Sequence, residues 1–143
     1  MGKLADLAKL ATAQTTEQIN NKILDILSFL ESSNNTNPKR LKENSDGALG
    51  EFQLTRGLFT DIKRDFPEHR NVEFEDAALG PDRRKFAQLG LMSTGNNLAS
   101  VGVAPTTDAV IQAYHSGPGN VASGNIGKDG KKYLKDFNRL FNR

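Results

Sequence analysis

The sequence predicts a mainly α-helical fold, of the α+β type with a very small β element. Apolar residues recur at helical spacing in several segments, and strand signals are limited to a few residues near Phe52. No repeat or linker divides the 143 residues, of which 36% are hydrophobic. We therefore predict one domain over residues 1–143, with a lean core built mostly from Leu, Ile and Phe.

The composition argues against several classes of protein. The chain has 19 basic and 17 acidic residues, and its formal charge of +2 is too small to indicate a nucleic-acid-binding surface. The absence of cysteine excludes disulfides and thiolate metal sites, and the two histidines, His69 and His115, have no acidic framework for a metal. No apolar run approaches the length of a membrane span. We predict no nucleic-acid partner, no membrane span, no metal and no cofactor.

Two helices are predicted in the first part of the chain. Residues 1–14 have an amphipathic pattern, which favours a short helix packed on the domain, with docking to another protein as the alternative. A stronger helix begins at Thr15, because Thr15 and Gln18 fit a capping box. Its expected buried face consists of Ile19, Ile23, Ile26, Leu27 and Leu30.

A polar surface loop and four further helices are predicted after Glu31. Residues 67–80 show no clear element. A Gly-Pro-Gly sequence near the end of the chain predicts a tight turn that aims Tyr114 in one fixed direction. The first of these helices is expected to end before Pro67, and the second is expected to begin at Pro81. The third is expected to span Ala109–Tyr114. The last is expected to bury Tyr133, Leu134, Phe137, Leu140 and Phe141.

Glu31 is the first candidate for chemistry. At about 100° per residue it lies one turn beyond Leu27, at the margin of the apolar stripe and on the last turn of its helix. Partial burial and the negative end of the helix dipole both raise the pKa of a carboxylate. By position alone, a solvated glutamate at a helix end is still the favoured interpretation.

Three short motifs resemble those of the lytic transglycosylases of the lysozyme-like superfamily, which are related to goose-type lysozyme. They occur in the family's order, and the resemblance covers about residues 16–142. Each motif alone is weak, whereas the three together with a closing helix are fairly specific. The motifs are Glu31-Ser32-Ser33, Gly47-Ala48-Leu49-Gly50-Glu51-Phe52-Gln53, and Ala113-Tyr114-His115-Ser116-Gly117-Pro118-Gly119-Asn120.

The resemblance implies a lysozyme-like fold and a single catalytic carboxylate. Glu31 would protonate the glycosidic oxygen between N-acetylmuramic acid and N-acetylglucosamine. It would then take the proton of the muramoyl C6 hydroxyl as that hydroxyl attacks C1, which leaves a 1,6-anhydromuramoyl end. Tyr114 and Ser32 would orient the carboxylate, while Gln53 and His115 would lie at the substrate.

Departures from the family's pattern leave alternatives open. His115 stands where the family usually has Asn, Glu51 stands where it usually has an apolar residue, and the loop after the first motif is a few residues longer. One alternative is a hydrolytic muramidase that uses Asp46 or Glu43 as a second carboxylate, although solvated side chains are favoured for both. The other is a virion structural protein that has lost useful turnover.

The expected setting is a bacteriophage. The chain shows no signal peptide, lipid-attachment cysteine or wall-binding module, which favours a virion-associated enzyme that acts in the periplasm or cell wall. Its expected partners are peptidoglycan glycan strands and phage tail or other virion proteins. An endolysin that stays in the host cytoplasm until release is the alternative.

Overall fold

The computed structural model describes residues 18–143, which are mainly helical and contain one two-stranded antiparallel sheet. The predicted mainly α fold with a very small β element is confirmed, whereas the predictions for residues 1–14 and for the Thr15 cap lie outside the described residues. The elements are α1 (residues 18–32), β1 (Ala48–Leu49), β2 (Leu54–Thr55), α2 (Arg56–Asp65), α3 (Phe74–Leu79), α4 (Arg83–Ser100), α5 (Thr107–Ser116), α6 (Pro118–Ser123) and α7 (Lys128–Phe141), with 3₁₀ helices at Pro38–Leu41 and Pro67–His69.

Helix α1 presents one face to the core. Ile23, Ile26 and Leu27 are buried as the periodicity predicts, and Leu24 is buried beside them. The prediction is wrong for Ile19, which is 40% exposed. Periodicity gives the direction in which a side chain points. It does not show whether a neighbouring element extends far enough to cover that side chain.

Two hydrophobic clusters form the core, and α4 contributes to both. Ala87 packs with residues of α1, α5 and α7, whereas the adjacent Phe86 packs with residues of the β-hairpin, α2 and α3. Neighbouring residues of a helix point about 100° apart, so one helix can serve two clusters. The first cluster contains Ile23, Leu24, Ile26, Leu27, Phe52, Ala87, Ile111, Tyr133 and Phe137, and the second contains Leu49, Leu54, Phe59, Ile62, Phe74, Ala77, Ala78 and Phe86.

The β-hairpin brings a tight turn close to α3. Leu49 of β1 lies opposite Leu54 of β2. Gly50, in the turn between them, has a φ of +86°, and a Cβ at this position would collide with the backbone carbonyl of Ala78. Gln53 adopts a φ of +49° without being glycine. Such backbone strain costs free energy and tends to persist where it positions a functional side chain.

Residues 67–80, for which the sequence predicts no element, contain a 3₁₀ helix and α3. Phe74, Ala77 and Ala78 of α3 are buried against the second cluster. A helix of six residues is too short to show a helical period in the sequence. Its acidic first turn, with Glu75 and Asp76, also makes the segment look like a polar loop.

The Gly-Pro-Gly sequence forms a junction between two helices, and the predicted tight turn is wrong. Gly117, with a φ of +88°, ends α5, and Pro118 begins α6 directly after it. Proline is suited to the first position of a helix, where its missing N–H would have no partner within the helix. One residue with a positive φ is therefore enough to change the direction of the chain.

Candidate functional site

A groove of about 220 Å³ brings together four of the five predicted site residues, from three distant parts of the chain. They are contributed by the end of α1, the hairpin turn and the end of α5. The lining residues are Glu31, Arg40, Asn44, Asp46, Ala48, Gln53, Thr55, Tyr114 and His115.

The end of α1 places Glu31 at this groove. The helix ends because Ser33, Asn34 and Asn35 have positive φ values of 53°, 59° and 67°. The Ser33 amide still donates a hydrogen bond of 2.9 Å to the carbonyl of Phe29, which closes the last turn. Glu31 is thus held on a complete helical turn, half-buried at the edge of the first cluster.

The Glu31 carboxylate is adapted to hold a proton near neutral pH. Burial raises the pKa of Glu31 to about 7, although the positive charge of Arg40 and the hydroxyl of Tyr133 each lower it in part. A group whose pKa lies near the working pH can serve first as an acid and then as a base. The predicted rise in the pKa of Glu31 therefore has burial as its main cause.

Tyr133, on α7, is a neighbour of Glu31 that the sequence does not reveal. Its position predicts a core side chain, and it is 8% exposed. Its hydroxyl, however, lies close enough to Glu31 that the pKa of Glu31 is lowered, while burial and the charge of Glu31 raise the pKa of Tyr133. The hydroxyl makes no well-formed hydrogen bond with any described residue. Apolar periodicity masks such a residue, because the ring belongs to the core and only the hydroxyl faces the site.

Tyr114 lines the groove, but the predicted hydrogen bond to Glu31 is wrong. Its hydroxyl donates a hydrogen bond of 2.6 Å to the backbone carbonyl of Phe52, and a tyrosine has only one proton to donate. Burial and the charge of Glu31 raise the pKa of Tyr114, so the two groups are near each other. Tyr114 joins α5 to the hairpin turn and forms the groove wall beside the carboxylate.

Gln53 lies in the groove lining with its side-chain amide bound to the protein. Its Oε1 accepts a hydrogen bond of 3.1 Å from Nη1 of Arg40, and its Nε2 donates one of 2.9 Å to the carbonyl of Gly50. The residue is 7% exposed. In this geometry Gln53 holds Arg40 in place, and its contact with a sugar stays a prediction.

Ser32 is the one predicted site residue that the structure does not bring to the groove. Its hydroxyl donates a hydrogen bond of 3.0 Å to the carbonyl of Ser28 and accepts one of 2.9 Å from the amide of Asn35. Both partners are backbone groups, and the residue is 2% exposed. The predicted contact with the carboxylate is wrong, because residues Glu31 and Ser32 point about 100° apart on the helix.

His115 lies at the mouth of the groove. Its ring packs against that of Tyr133 in a tilted arrangement, with a centroid distance of 4.4 Å and an interplanar angle of 32°, and its Nδ1 is 3.1 Å from the hydroxyl of Ser116. Partial burial lowers the pKa of His115, although the charge of Asp129 opposes the change. The imidazole is therefore mainly neutral near pH 7, and its contact with a substrate stays a prediction.

A second cavity of about 180 Å³ adjoins the groove at Tyr114 and His115. The two cavities share Thr55, Tyr114 and His115 as lining residues. Two adjoining cavities can hold consecutive units of an extended polymer.

Glu51 lies beneath the site in a polar network that joins three elements. Its Oε2 accepts a hydrogen bond of 2.7 Å from Ser28, and its Oε1 pairs with Nε of Arg83 at 2.8 Å. Partial burial would raise the pKa of Glu51, but the bonds from Ser28 and Arg83 and the charge of Arg84 hold it below its ordinary value. The departure from an apolar residue thus has a structural partner, Arg83.

Two further carboxylates were candidates for a second catalytic group. Asp46 lines the groove, on an exposed turn. Glu43 does not line it and instead pairs with Arg56 at 2.8 Å, a contact that lowers the pKa of Glu43. Within residues 18–143, no group of three His, Asp or Glu side chains is arranged to hold a metal ion.

A larger cavity of about 410 Å³ lies apart from Glu31, between α1, α4 and α5. It is lined mainly by apolar side chains, among them Ile23, Leu91 and Val110, and by no titratable side chain. This cavity therefore offers no group for general acid–base chemistry, unlike the groove that contains Glu31.

Comparison with protein-family models, with curated proteins and with solved structures finds no match to this chain. Across residues 18–143, none of the helices combines the length and the apolar character that a bilayer crossing requires.

Proposed function

We propose that the protein is a peptidoglycan lytic transglycosylase with a lysozyme-like fold. The observation that carries the proposal is Glu31, a half-buried carboxyl with a pKa of about 7 at the wall of a groove. The three motifs that resemble those of the family contribute Glu31, Gln53 and Tyr114 to the same groove. Convergence of distant motifs on one carboxyl is what an active site requires, and it supports the resemblance.

The proposed reaction uses Glu31 twice. The protonated carboxyl donates its proton to the glycosidic oxygen between N-acetylmuramic acid and N-acetylglucosamine, and the bond from C1 to that oxygen breaks. The Glu31 carboxylate then accepts the proton of the muramoyl C6 hydroxyl, whose oxygen bonds to C1. The products are an N-acetylglucosamine end and a 1,6-anhydromuramoyl end, and Glu31 is protonated again for the next cycle.

The geometry supports the use of one carboxyl. Glycosidases that hydrolyse their substrate need a second carboxylate to act on water or on C1, whereas an intramolecular C6 hydroxyl replaces that nucleophile. Of the two candidates for a second carboxylate, Glu43 is held by Arg56 outside the groove. The neighbour of Glu31 is Tyr133, whose hydroxyl stabilises the carboxylate form and so opposes the effect of burial.

The proposal is tested by digestion of purified peptidoglycan and mass spectrometry of the products. We expect anhydromuramoyl ends from the wild-type protein and a rate at least about 100-fold lower for Glu31→Gln, because the amide cannot donate the proton. Asp46→Asn, at the other carboxylate in the groove, is the matched control and should retain activity. A Glu31→Gln variant that cleaves at the wild-type rate contradicts the proposal.

A hydrolytic muramidase is the second candidate, favoured by the presence of Asp46 in the same groove. It predicts reducing muramic acid ends, because water is added across the bond, and a large loss of activity in Asp46→Asn. Product analysis thus separates the two reactions. A folded wild-type protein that binds glycan strands and cleaves none is the outcome expected of a virion structural protein.

The proposed setting is the bacteriophage virion, with phage tail or other virion proteins as partners and the cell wall or periplasm as the place of action. A virion enzyme needs to open only one local hole in the wall, so modest turnover suffices. Mass spectrometry of gradient-purified virions tests this setting. Detection of the chain in the particles supports it, and abundance in the lysate alone points to an endolysin released from the host cytoplasm.

A further inference from the structure

Arg40 is a half-buried cation whose position is fixed beside Glu31 in the groove. It lies in the 3₁₀ helix Pro38–Leu41, within the segment that the sequence predicts to be a polar surface loop. The amide of Gly50 donates a hydrogen bond of 2.6 Å to the Arg40 carbonyl, and Nε2 of Gln53 approaches the same oxygen at 3.4 Å. The hairpin turn therefore holds the backbone of Arg40 in one position.

Among the residues that the structure describes, the guanidinium of Arg40 leaves several of its donors unused. Its one hydrogen bond within residues 18–143 goes from Nη1 to the neutral amide of Gln53, and no carboxylate of these residues lies within 4.0 Å of it. Arg70 also has no carboxylate partner in the described part of the chain, but it is exposed to water. In contrast, five arginines pair with a carboxylate, namely Arg56, Arg64, Arg83, Arg84 and Arg139.

We propose that Arg40 binds a carboxylate on the muramoyl side of the glycan strand and so makes the groove specific for acidic glycan over neutral chitin. A guanidinium offers paired N–H groups that match a carboxylate, and partial burial strengthens such a contact. Each muramoyl residue carries a lactyl group that ends either in a free carboxylate or in a peptide with carboxylates of its own. Chitin carries none. This inference rests on the proposed function.

The electrostatics of the groove agree with this role. Arg40 lines the same groove as Glu31, and its positive charge lowers the pKa of the Glu31 carboxyl in part. A carboxylate bound there would lie beside the sugar whose C1 reacts. Gln53, which the family resemblance places at the sugar, would then contribute through Arg40, because its Oε1 holds the guanidinium.

The inference is tested by isothermal titration with the full chain carrying Glu31→Gln, so that no ligand is cleaved. The ligands are three oligosaccharides of equal length: chitooligosaccharide, the alternating N-acetylglucosamine–N-acetylmuramic acid oligomer without peptide, and the same oligomer with peptide. We expect an acidic oligomer to bind at least about tenfold more tightly than chitooligosaccharide. If the bare oligomer has this advantage, the lactyl carboxylate is the group bound, and if only the peptide-bearing oligomer has it, the peptide is.

Adding Arg40→Gln should remove that advantage and leave the affinity for chitooligosaccharide unchanged, whereas Arg40→Lys should retain part of it because the charge remains. Arg70→Gln removes the same charge outside the groove and is the matched control. Equal loss of affinity for acidic and neutral oligomers overturns the inference, since it indicates a structural role. The inference is also overturned if Arg40→Gln still binds acidic oligomers more tightly than chitooligosaccharide to the same extent. If the wild-type protein cleaves peptidoglycan in that case, the proposed function stands. A wild-type protein that neither binds nor cleaves any of these glycans overturns both.

Discussion

The hydroxyl of Tyr114 donates a hydrogen bond of 2.6 Å to the backbone carbonyl of Phe52. This bond fastens α5, which carries His115, to the hairpin turn, which carries Gln53. Phe52 itself packs in the cluster formed with α1 and α7. One hydroxyl proton therefore connects two walls of the groove, α5 and the hairpin turn.

Tyr114→Phe is expected to lower the free energy of unfolding by about 1–2 kcal/mol, because the carbonyl of Phe52 loses its donor. Turnover should fall by no more than about tenfold, through a wider groove. Chemical denaturation measures the change in stability, and the rate of product formation measures the change in turnover. A loss of turnover above about 100-fold with unchanged stability would indicate that the hydroxyl acts on Glu31 directly.

The rate of peptidoglycan cleavage should decrease as pH rises above about 7, because only the protonated form of Glu31 can act as the acid. Replacing Arg40 with Gln removes a positive charge that lowers the pKa of Glu31, so the decrease should begin at a higher pH. A pH–rate profile for each protein checks this, with Arg70→Gln as the control for a general loss of charge. An unchanged profile in Arg40→Gln contradicts the expected effect.

Glu31→Gln should be more stable than the wild-type protein above pH 7 and should lose part of that advantage on acidification. The pKa of Glu31 is raised from 4.5 to about 7 on folding, so the folded state binds more protons between these values. The contribution of Glu31 to stability is therefore present below pH 4.5 and is lost as pH rises through about 7. We expect a difference on the order of 2 kcal/mol, measured by denaturant titration across this range. Parallel stability curves for the two proteins contradict it.

The sequence predicts more of the helices than of the contacts between them. The buried stripe of α1 and the cap of α5 at Thr106 follow from local pattern and local hydrogen bonding. The position of Glu31 at the edge of the stripe makes it a candidate, and the motifs in which it takes part are what single it out. The partners of a side chain depend on elements far along the chain, which is why Tyr114 was expected at the carboxylate and Tyr133 was not.

The same reason explains the two other misjudged site residues. Ser32 follows Glu31 in the sequence but faces the backbone of its own helix end, where its hydroxyl has two partners. Arg40 lies in a loop whose composition indicates solvent, and the hairpin turn brings it into the groove. Neither arrangement has a periodic signal that a single sequence could show.

Glu51→Leu should destabilise the protein by about 2 kcal/mol, because Arg83 and Ser28 are left without their partner in a partly buried place. The double variant Glu51→Leu with Arg83→Met should recover part of the lost stability, because neither of the new side chains carries a charge that needs a partner. Thermal unfolding measures both. Because the pKa of Glu51 is held low, its stabilising effect should be present near neutral pH and should be lost on acidification. A single variant as stable as the wild-type protein contradicts this account of the network.

Tyr133→Phe should separate catalysis from stability. The hydroxyl is buried without a well-formed hydrogen bond among the described residues, so its removal should change the free energy of unfolding by less than about 0.5 kcal/mol. The ring remains, and with it the packing against Phe137 and His115. Turnover should nevertheless fall about tenfold or more, because the Glu31 carboxylate loses the neighbour that stabilises it after proton transfer. Since that neighbour lowers the pKa of Glu31, the decrease in rate at high pH should also begin later. Denaturation, turnover and the pH–rate profile are measured on the same sample, and a large loss of stability with an unchanged profile would show that Tyr133 serves only the core.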